Sequence, residues 1–292
     1  MVCQAGIYFG VEFVLKMLQD YVVFMVGKDE IAREWDEASE SWADFVREGK
    51  DYFRDMMNGP AAFKVIGDIR GKHVLDLSCG EGSNARILAG KGAIVVGVDF
   101  SEKMIGLARK MEKQERLSIE YHVADATELK MFGNGRFDVV TCFMALMDIE
   151  RFENAISEAA RVLKKDGRFI FSVTHPCFET GAKANGKPVT EWKYAEDKHD
   201  AEAEKTAVLE VHDYFAETKC EVSWTMKRLA KPFKTTSFHR TLTDYFQALQ
   251  RSDLLIVRLM EPKPTRVGIA KHAGLAKHMR IPHSLIVETV KK

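Results

Sequence analysis

Apolar and polar positions alternate along this chain in two periods, and the switches between them lay out strands and helices in turn from residue 73 onward. Val74, Leu75 and Leu77 are dense enough in apolar side chains for a strand buried on both faces. A turn with Gly80 and Gly82 follows, then a helical pattern over Glu81–Ala89, then the β-branched run Ile94–Val98, which ends at Asp99. Ser101–Lys113 reads as a helix capped by Ser101, with Met104, Ile105, Leu107 and Ala108 facing inward. Ile119–Val123 is a third strand running into Ala124-Asp125-Ala126, and Phe137–Cys142 a fourth, introduced by the turn Gly133-Asn134-Gly135. A helix over Phe152–Lys164 and a fifth strand over Arg168–Val173 complete the alternation.

Before this unit, Ile31, Trp35, Ala38, Trp42, Phe45 and Val46 recur every three or four residues and predict one charged helix over Asp29–Met57. Asn58-Gly59-Pro60 is expected to break it, with Pro60 opening the next helix. After residue 174 the pattern changes. Gly181, Asn185, Gly186 and Pro188 mark a loop, Glu196–Lys205 is a charged stretch, and Leu209–Phe215, Cys220–Met226 and Thr235–His239 alternate as short antiparallel strands. The tail returns to a helix, Leu242–Arg251, and two strands, Leu254–Met260 and Ser284–Val290. Between those strands Lys263, Arg266, Lys271, Lys277 and Arg280, with His272 and His278, form a local basic run, read as a solvated face in preference to a contact for an acidic partner or RNA.

Composition narrows the class. At 292 residues and 46% hydrophobic content the chain buries a full core, and 43 basic against 43 acidic residues give no global pull toward nucleic acid or anionic membrane. Residues 1–26 are apolar, but Glu12, Lys16, Gln19 and Asp20 interrupt them, so neither a membrane span nor a signal peptide is expected. Helical spacing of Val14, Met17, Leu18, Tyr21 and Met25 leaves an amphipathic docking helix or an extension upstream of a protein beginning at Met25. The five cysteines Cys3, Cys79, Cys142, Cys177 and Cys220 lack C-x-x-C spacing, which argues against a disulfide framework or zinc knuckle and for a reducing, cytoplasmic setting.

The candidate chemistry sits at the strand ends. Gly80-x-Gly82-x-x-Ala85 with a later acid satisfies the dinucleotide fingerprint, so an NAD(P)-binding oxidoreductase is one reading. Asp76 opposes it, because at the end of the first strand it sets an anion against a pyrophosphate. A cationic ligand suits it better, and the ribose diol of S-adenosylmethionine can donate two hydroxyl hydrogen bonds to Asp99.

At these residues the sequence resembles the class I S-adenosylmethionine-dependent methyltransferases, in particular those with a type 11 methyltransferase domain. The resemblance covers roughly Trp35–Val173 and resumes at the C-terminus. It implies a Rossmann-like α/β fold: a seven-stranded, mostly parallel sheet with helices on both faces, an antiparallel last strand and a small cap inserted after strand five. It implies S-adenosylmethionine as cofactor, held by Asp76, Ser78, Cys79, Gly80 and Gly82 at the first turn, by Asp99, Phe100, Ser101 and Met104 after strand two, and by Asp125, Ala126 and Phe143 further on. Ser78 stands where the family often has glycine. The implied divisions are an extension (1–28), lid helices (29–70), the cofactor core (71–175), a substrate-side cap (176–238) and the closing elements (239–292). Trp35, Trp42, Tyr52 and Phe53 suit either a lid or ordinary core packing.

The expected reaction moves a methyl group to an O, N, S or C nucleophile of a small molecule, with a protein side chain or RNA as the alternative acceptor. A base is needed only for a protonated acceptor, and His175, Asp148, His239 and Tyr245 are the candidates by position. Cys79, Cys142 and Cys177 follow strands one, four and five, but a metal site there is set aside because small buried cysteines also fit these turns. A non-catalytic binding module is disfavoured by the joint presence of Asp76, Gly80, Gly82, Asp99 and Asp125. The sequence leaves oligomeric state open.

Overall fold

The computed structural model describes residues 30–181, 183–184, 187–194, 201–216, 218–226 and 229–292. The expectations for residues 1–28 lie outside the described residues. Helix α1 covers 30–47, and a second helical segment beginning at 52 widens into a π-turn, Arg54–Asn58, that passes directly into α2 (Gly59–Ile66). The core then runs β1 (His73–Leu77), α3 (Ser83–Gly90), β2 (Ile94–Asp99), α4 (Glu102–Glu115), β3 (Glu120–Val123), β4 (Phe137–Phe143), α5 (Phe152–Val162) and β5 (Leu163–Thr174). The insertion holds β6 (Lys183–Ala184), β7 (Lys187–Pro188), β8 (Thr190–Lys193), α6 (Ala201–Thr206), β9 (Val208–Val211), β10 (Thr218–Trp224) and β11 (Phe233–His239). Helix α7 (Leu242–Arg251), β12 (Leu254–Met260), α8 (Arg266–Lys271) and β13 (Ser284–Lys291) close the chain.

Seven strands form one sheet in the order β12-β13-β5-β4-β1-β2-β3. The first five in sequence pair in parallel, and β13 lies antiparallel between β5 and β12. Neighbours along a strand feed opposite cores, as the two-residue period requires. Leu75, Val96, Val140 and Phe169 join Phe152, Tyr245 and Leu249 on one face, while Val74, Val95, Val139 and Ile170 join Ile66, Leu88 and Ile105 on the other. A fully buried side chain of this kind contributes about 1.5–3 kcal/mol, so both faces hold the sheet flat against its helices. The carboxyl ends of the parallel strands are left to open on one edge.

Two expectations at the N-terminus are corrected. The single helix over Asp29–Met57 is two, because Gly49 takes φ 64 and the Lys50 N–H returns to Phe45 O at 3.0 Å, a left-handed stop open to glycine. Asn58-Gly59-Pro60 does not end the second helix. The Gly59 N–H donates to Arg54 O, five residues back, and the widened turn lets Pro60 enter at the start of α2, where its missing N–H costs nothing. Only glycine fits there, since a Cβ at 59 would lie 2.8 Å from Arg54 O.

Among the described residues the cap holds three two-stranded ladders, β6 with β7, β8 with β9 and β10 with β11, of which the sequence signalled β9, β10 and β11. The strand expected over Leu209–Phe215 is shorter because β8, its partner, has four residues. Helix α1 is fastened to the cap: Glu34 accepts the Thr236 N–H at 2.7 Å and its hydroxyl at 2.9 Å, and Ser41 Oγ donates to Lys231 O at 2.7 Å. The basic run is also not one solvated face. Lys277 Nζ donates to Tyr194 Oη at 2.8 Å and pairs with Glu204, and Arg280 donates to Ala207 O at 3.1 Å, so part of it braces the cap. No helix among the described residues is long and apolar enough to cross a membrane.

Candidate active site

A cavity of about 840 Å³ lies over the carboxyl ends of the parallel strands, roofed by α1 and the β10–β11 hairpin. Its floor at one end is the turn after β1. Ser78, Gly80 and Gly82 there have φ of 57, 56 and 83, so the chain reverses through three left-handed residues within five. Ser78 accepts a conformation that glycine adopts freely, which is the physical content of the family's glycine at this place. Gly82 has a second reason, since a Cβ would lie 2.4 Å from Tyr121 Oη. Ser78, Cys79 and Gly80 line the cavity, as do Phe100 and Met104 after β2, Asp125 and Ala126 after β3, and Phe143 at the end of β4.

Asp99 ends β2 on the cavity wall. Its Oδ2 accepts the Gly80 N–H at 2.9 Å and its Oδ1 the Ser101 N–H at 3.0 Å, so each oxygen keeps acceptor capacity for a ligand. Burial pushes its pKa up to about 6 against those two hydrogen bonds. Ser101 is fully buried and off the cavity wall; its hydroxyl caps α4 at the Met104 N–H and donates to Asp36 on α1. Asp125 Oδ1 accepts the Thr127 N–H at 2.8 Å in a turn.

Asp76 lies behind the turn and off the cavity wall. Its Oδ1 accepts the Thr141 hydroxyl at 2.8 Å and its buried Oδ2 has no hydrogen-bond partner. Burial raises its pKa to about 7, with Asp99 adding in the same direction. A buried carboxyl with an orphaned oxygen is stabilised by a nearby cation and opposed by a phosphate.

Of the four candidate bases, Asp148 lines the cavity. It sits in the 3₁₀ turn Leu146–Asp148 after β4, near Ser237 on β11, and burial raises its pKa to about 7. His175 lies elsewhere: it is buried, with Nε2 3.2 Å from Glu261 and Nδ1 accepting the Cys177 N–H, and burial lowers its pKa. His239 Nε2 is 2.8 Å from Tyr214 O, and Tyr245 packs edge-on to Phe152 in the core. Neither lines this cavity. Cys79 and Cys142 are buried free thiols, with burial raising both pKa values.

The sequence missed several wall residues. Arg54 reaches Ser83 from the π-turn, and Asp51, whose Oδ1 accepts the Arg54 N–H at 3.0 Å, has its pKa raised by burial. Glu81 is held by Arg86 at 2.8 Å and Arg47 at 3.6 Å. Trp35, Trp42, Phe45, Trp224 and Met226 make an apolar, mostly aromatic part of the wall, with Trp42 5.3 Å from Trp224 and 6.0 Å from Trp35. Tyr52 and Phe53 line the cavity too, so all four aromatics with a lid or core reading stand on it. Their helical spacing was the available signal; Trp224 and Met226 arrive from a hairpin whose approach depends on Thr236 meeting Glu34.

This geometry fits S-adenosylmethionine. The acceptor capacity of Asp99 suits a ribose diol, and the orphaned Asp76 oxygen favours positive charge and opposes a pyrophosphate. Comparisons with known proteins agree. A methyltransferase-domain family model matches residues 75–171. An S-adenosylmethionine-dependent methyltransferase of known structure from Mesorhizobium loti superimposes with a TM-score of 0.64 at 27% identity, covering 80% of this chain and 96% of that one. Over residues 75–171 the chain is similar to the S-adenosylmethionine-dependent methyltransferases in fold and sequence, which supports S-adenosyl-L-methionine as the ligand of these loops. The ubiquinone biosynthesis O-methyltransferase of Coxiella burnetii is 34% identical over 157 residues, 53% of this chain. The chain spans 65% of that relative's length. An uncharacterized protein of Haemophilus influenzae is 28% identical over 217 residues, 71% of this chain and 77% of its own.

Proposed function

We propose that the protein methylates a hydroxyl-bearing small molecule with an apolar body, with Asp148 as general base. The observation that carries this is continuity: one cavity is lined by the cofactor loops at Gly80 and Asp99, by Asp148, and by Trp35, Trp42 and Trp224. The name of the Coxiella burnetii relative supports an oxygen acceptor. When bound, S-adenosylmethionine supplies a methyl group on a sulfonium.

The protein's own part is positioning, proton removal and exclusion of water. Asp99 would hold the ribose hydroxyls, Asp125 and Ala126 the adenine end, and the turn Ser78–Gly80 the methionyl end. Asp148, with a pKa near 7, is charged for a useful fraction of molecules at neutral pH and basic enough to take an acceptor proton. Tryptophans on α1 and β10 supply an apolar, dry wall for the rest of the acceptor. A protein side chain or RNA suits this enclosed, aromatic compartment less well.

The test is incubation with methyl-labelled S-adenosylmethionine and fractionated cell extract, followed by a panel of phenols with and without apolar tails. Label in an apolar, hydroxyl-bearing small molecule is expected. Label confined to protein or RNA would overturn the acceptor assignment, and tighter binding of NAD than of S-adenosylhomocysteine would overturn the cofactor.

A further inference from the structure

Away from the cofactor loops, the described residues bring three metal-type donors together: Glu179, His278 and His283, whose ligand atoms all lie within 4.8 Å of one another. They come from distant parts of the chain. Glu179 follows β5 at the root of the cap, His278 lies in the 3₁₀ segment Ala273–Met279, and His283 directly precedes β13. His283 Nδ1 is buried with no hydrogen-bond partner, 3.9 Å from Glu179 Oε2. His278 Nδ1 is 3.9 Å from Glu179 Oε1 and 3.2 Å from Ile281 O, to which it can donate, so a metal bound at this nitrogen replaces that hydrogen bond.

Those separations are informative. At 3.9 Å imidazole and carboxylate are too far apart for a hydrogen bond. Tetrahedral Zn–N and Zn–O bonds of about 2 Å put donor atoms about 3.3 Å apart, so an ion would draw these side chains together by roughly 0.5–1.5 Å. An orphaned buried nitrogen is unfavourable, and a bound ion removes that cost. The surroundings are also those of a built ligand set. Trp192 Nε1 donates to Glu179 Oε1 at 2.9 Å, fixing the carboxylate, and Phe53 packs against both imidazoles at 4.3 and 5.5 Å.

We propose that Glu179, His278 and His283 bind a first-row divalent cation of the zinc type, which fastens the root of the cap to the approach of β13. Two imidazoles and one carboxylate favour zinc over magnesium, whose preference is for oxygen ligands. His283 also lines the large cavity, so an open coordination position would face it. This site is independent of the methyl-transfer reading.

The experiment uses the full chain after chelator treatment and dialysis, with Zn²⁺ titrated by calorimetry and Co²⁺ followed by its visible absorption. One Zn²⁺ per chain is expected, with d–d bands for Co²⁺ and a higher melting temperature on Zn²⁺ addition. His283→Ala should weaken binding by at least about a hundredfold and abolish the bands, and Trp192→Phe, which frees the carboxylate, by about 10–100-fold. Glu179→Gln keeps the shape and covers the case in which His283→Ala does not fold. Absence of stoichiometric Zn²⁺ binding by the unaltered protein would overturn the proposal, with a water bridging the three groups instead. Unchanged binding in Glu179→Gln and His283→Ala would overturn it too, placing the ion elsewhere.

Discussion

Replacing Asp148 by Asn removes the proposed proton acceptor while keeping its size. General bases contribute about 10²–10⁴-fold, so kcat/KM should fall by that factor, or about 3–5 kcal/mol of transition-state stabilisation. The pH dependence is more diagnostic. With the Asp148 pKa raised by burial to about 7, the unaltered enzyme should gain activity as pH rises through 7, while the Asn variant should be flat there. Stability should move the opposite way. A carboxyl whose folded pKa lies above its unfolded value near 4 holds its proton more tightly when folded, so its contribution is greatest at low pH and is lost as pH rises toward 7. Asp148→Asn should therefore be more stable than the parent above pH 7, by on the order of 1 kcal/mol once solvent in the cavity is allowed for, and should match the parent below pH 4. The assay is transfer from labelled S-adenosylmethionine across pH 5.5–9, with calorimetry of S-adenosylhomocysteine as the control. A parent-like rate and pH profile in Asp148→Asn would refute the base assignment, whatever the melting curve.

Asp99→Ala should weaken S-adenosylhomocysteine by about 1.5–3 kcal/mol, the value of charged hydrogen bonds, in calorimetry; unchanged affinity with a lower melting temperature would make Asp99 structural. Gly82→Ala sets a methyl group against Tyr121 at φ 83 and should cost about 1–3 kcal/mol of stability by denaturant melt. Trp224→Ala should raise KM for an apolar acceptor about tenfold or more and leave S-adenosylhomocysteine affinity within about threefold, since Trp224 stands at the cap end of the cavity.

The core elements were legible because a sheet buried on both faces leaves nearly continuous apolar runs, and because Asp76 near the end of β1 and Asp99 at the end of β2 mark the strand tips. The cap was legible only in outline: β10 and β11 alternate, whereas β8 gains its form from pairing with β9 across helix α6. Sequence position placed both Asp148 and His175 after parallel strands, His175 directly and Asp148 a few residues on. What separates them is one further contact each, Glu261 for His175 and the cavity for Asp148. Glu179, His278 and His283 carried no signal, since about a hundred residues divide the first from the other two.

The widened turn at Arg54–Asn58 makes this helix intolerant of a change in length. It amounts to one residue more than a regular helix holds, and each residue turns the helix by about 100°. A single-residue deletion there would leave a smoother helix and an intact hydrophobic composition. It would also rotate Tyr52, Phe53 and Arg54 away from the cavity relative to Asn58, whose amide accepts the Ser284 hydroxyl, and to everything after it. Point substitutions can drift at these positions, while the reading length between Asp51 and Pro60 is expected to be held constant in any working descendant of this chain.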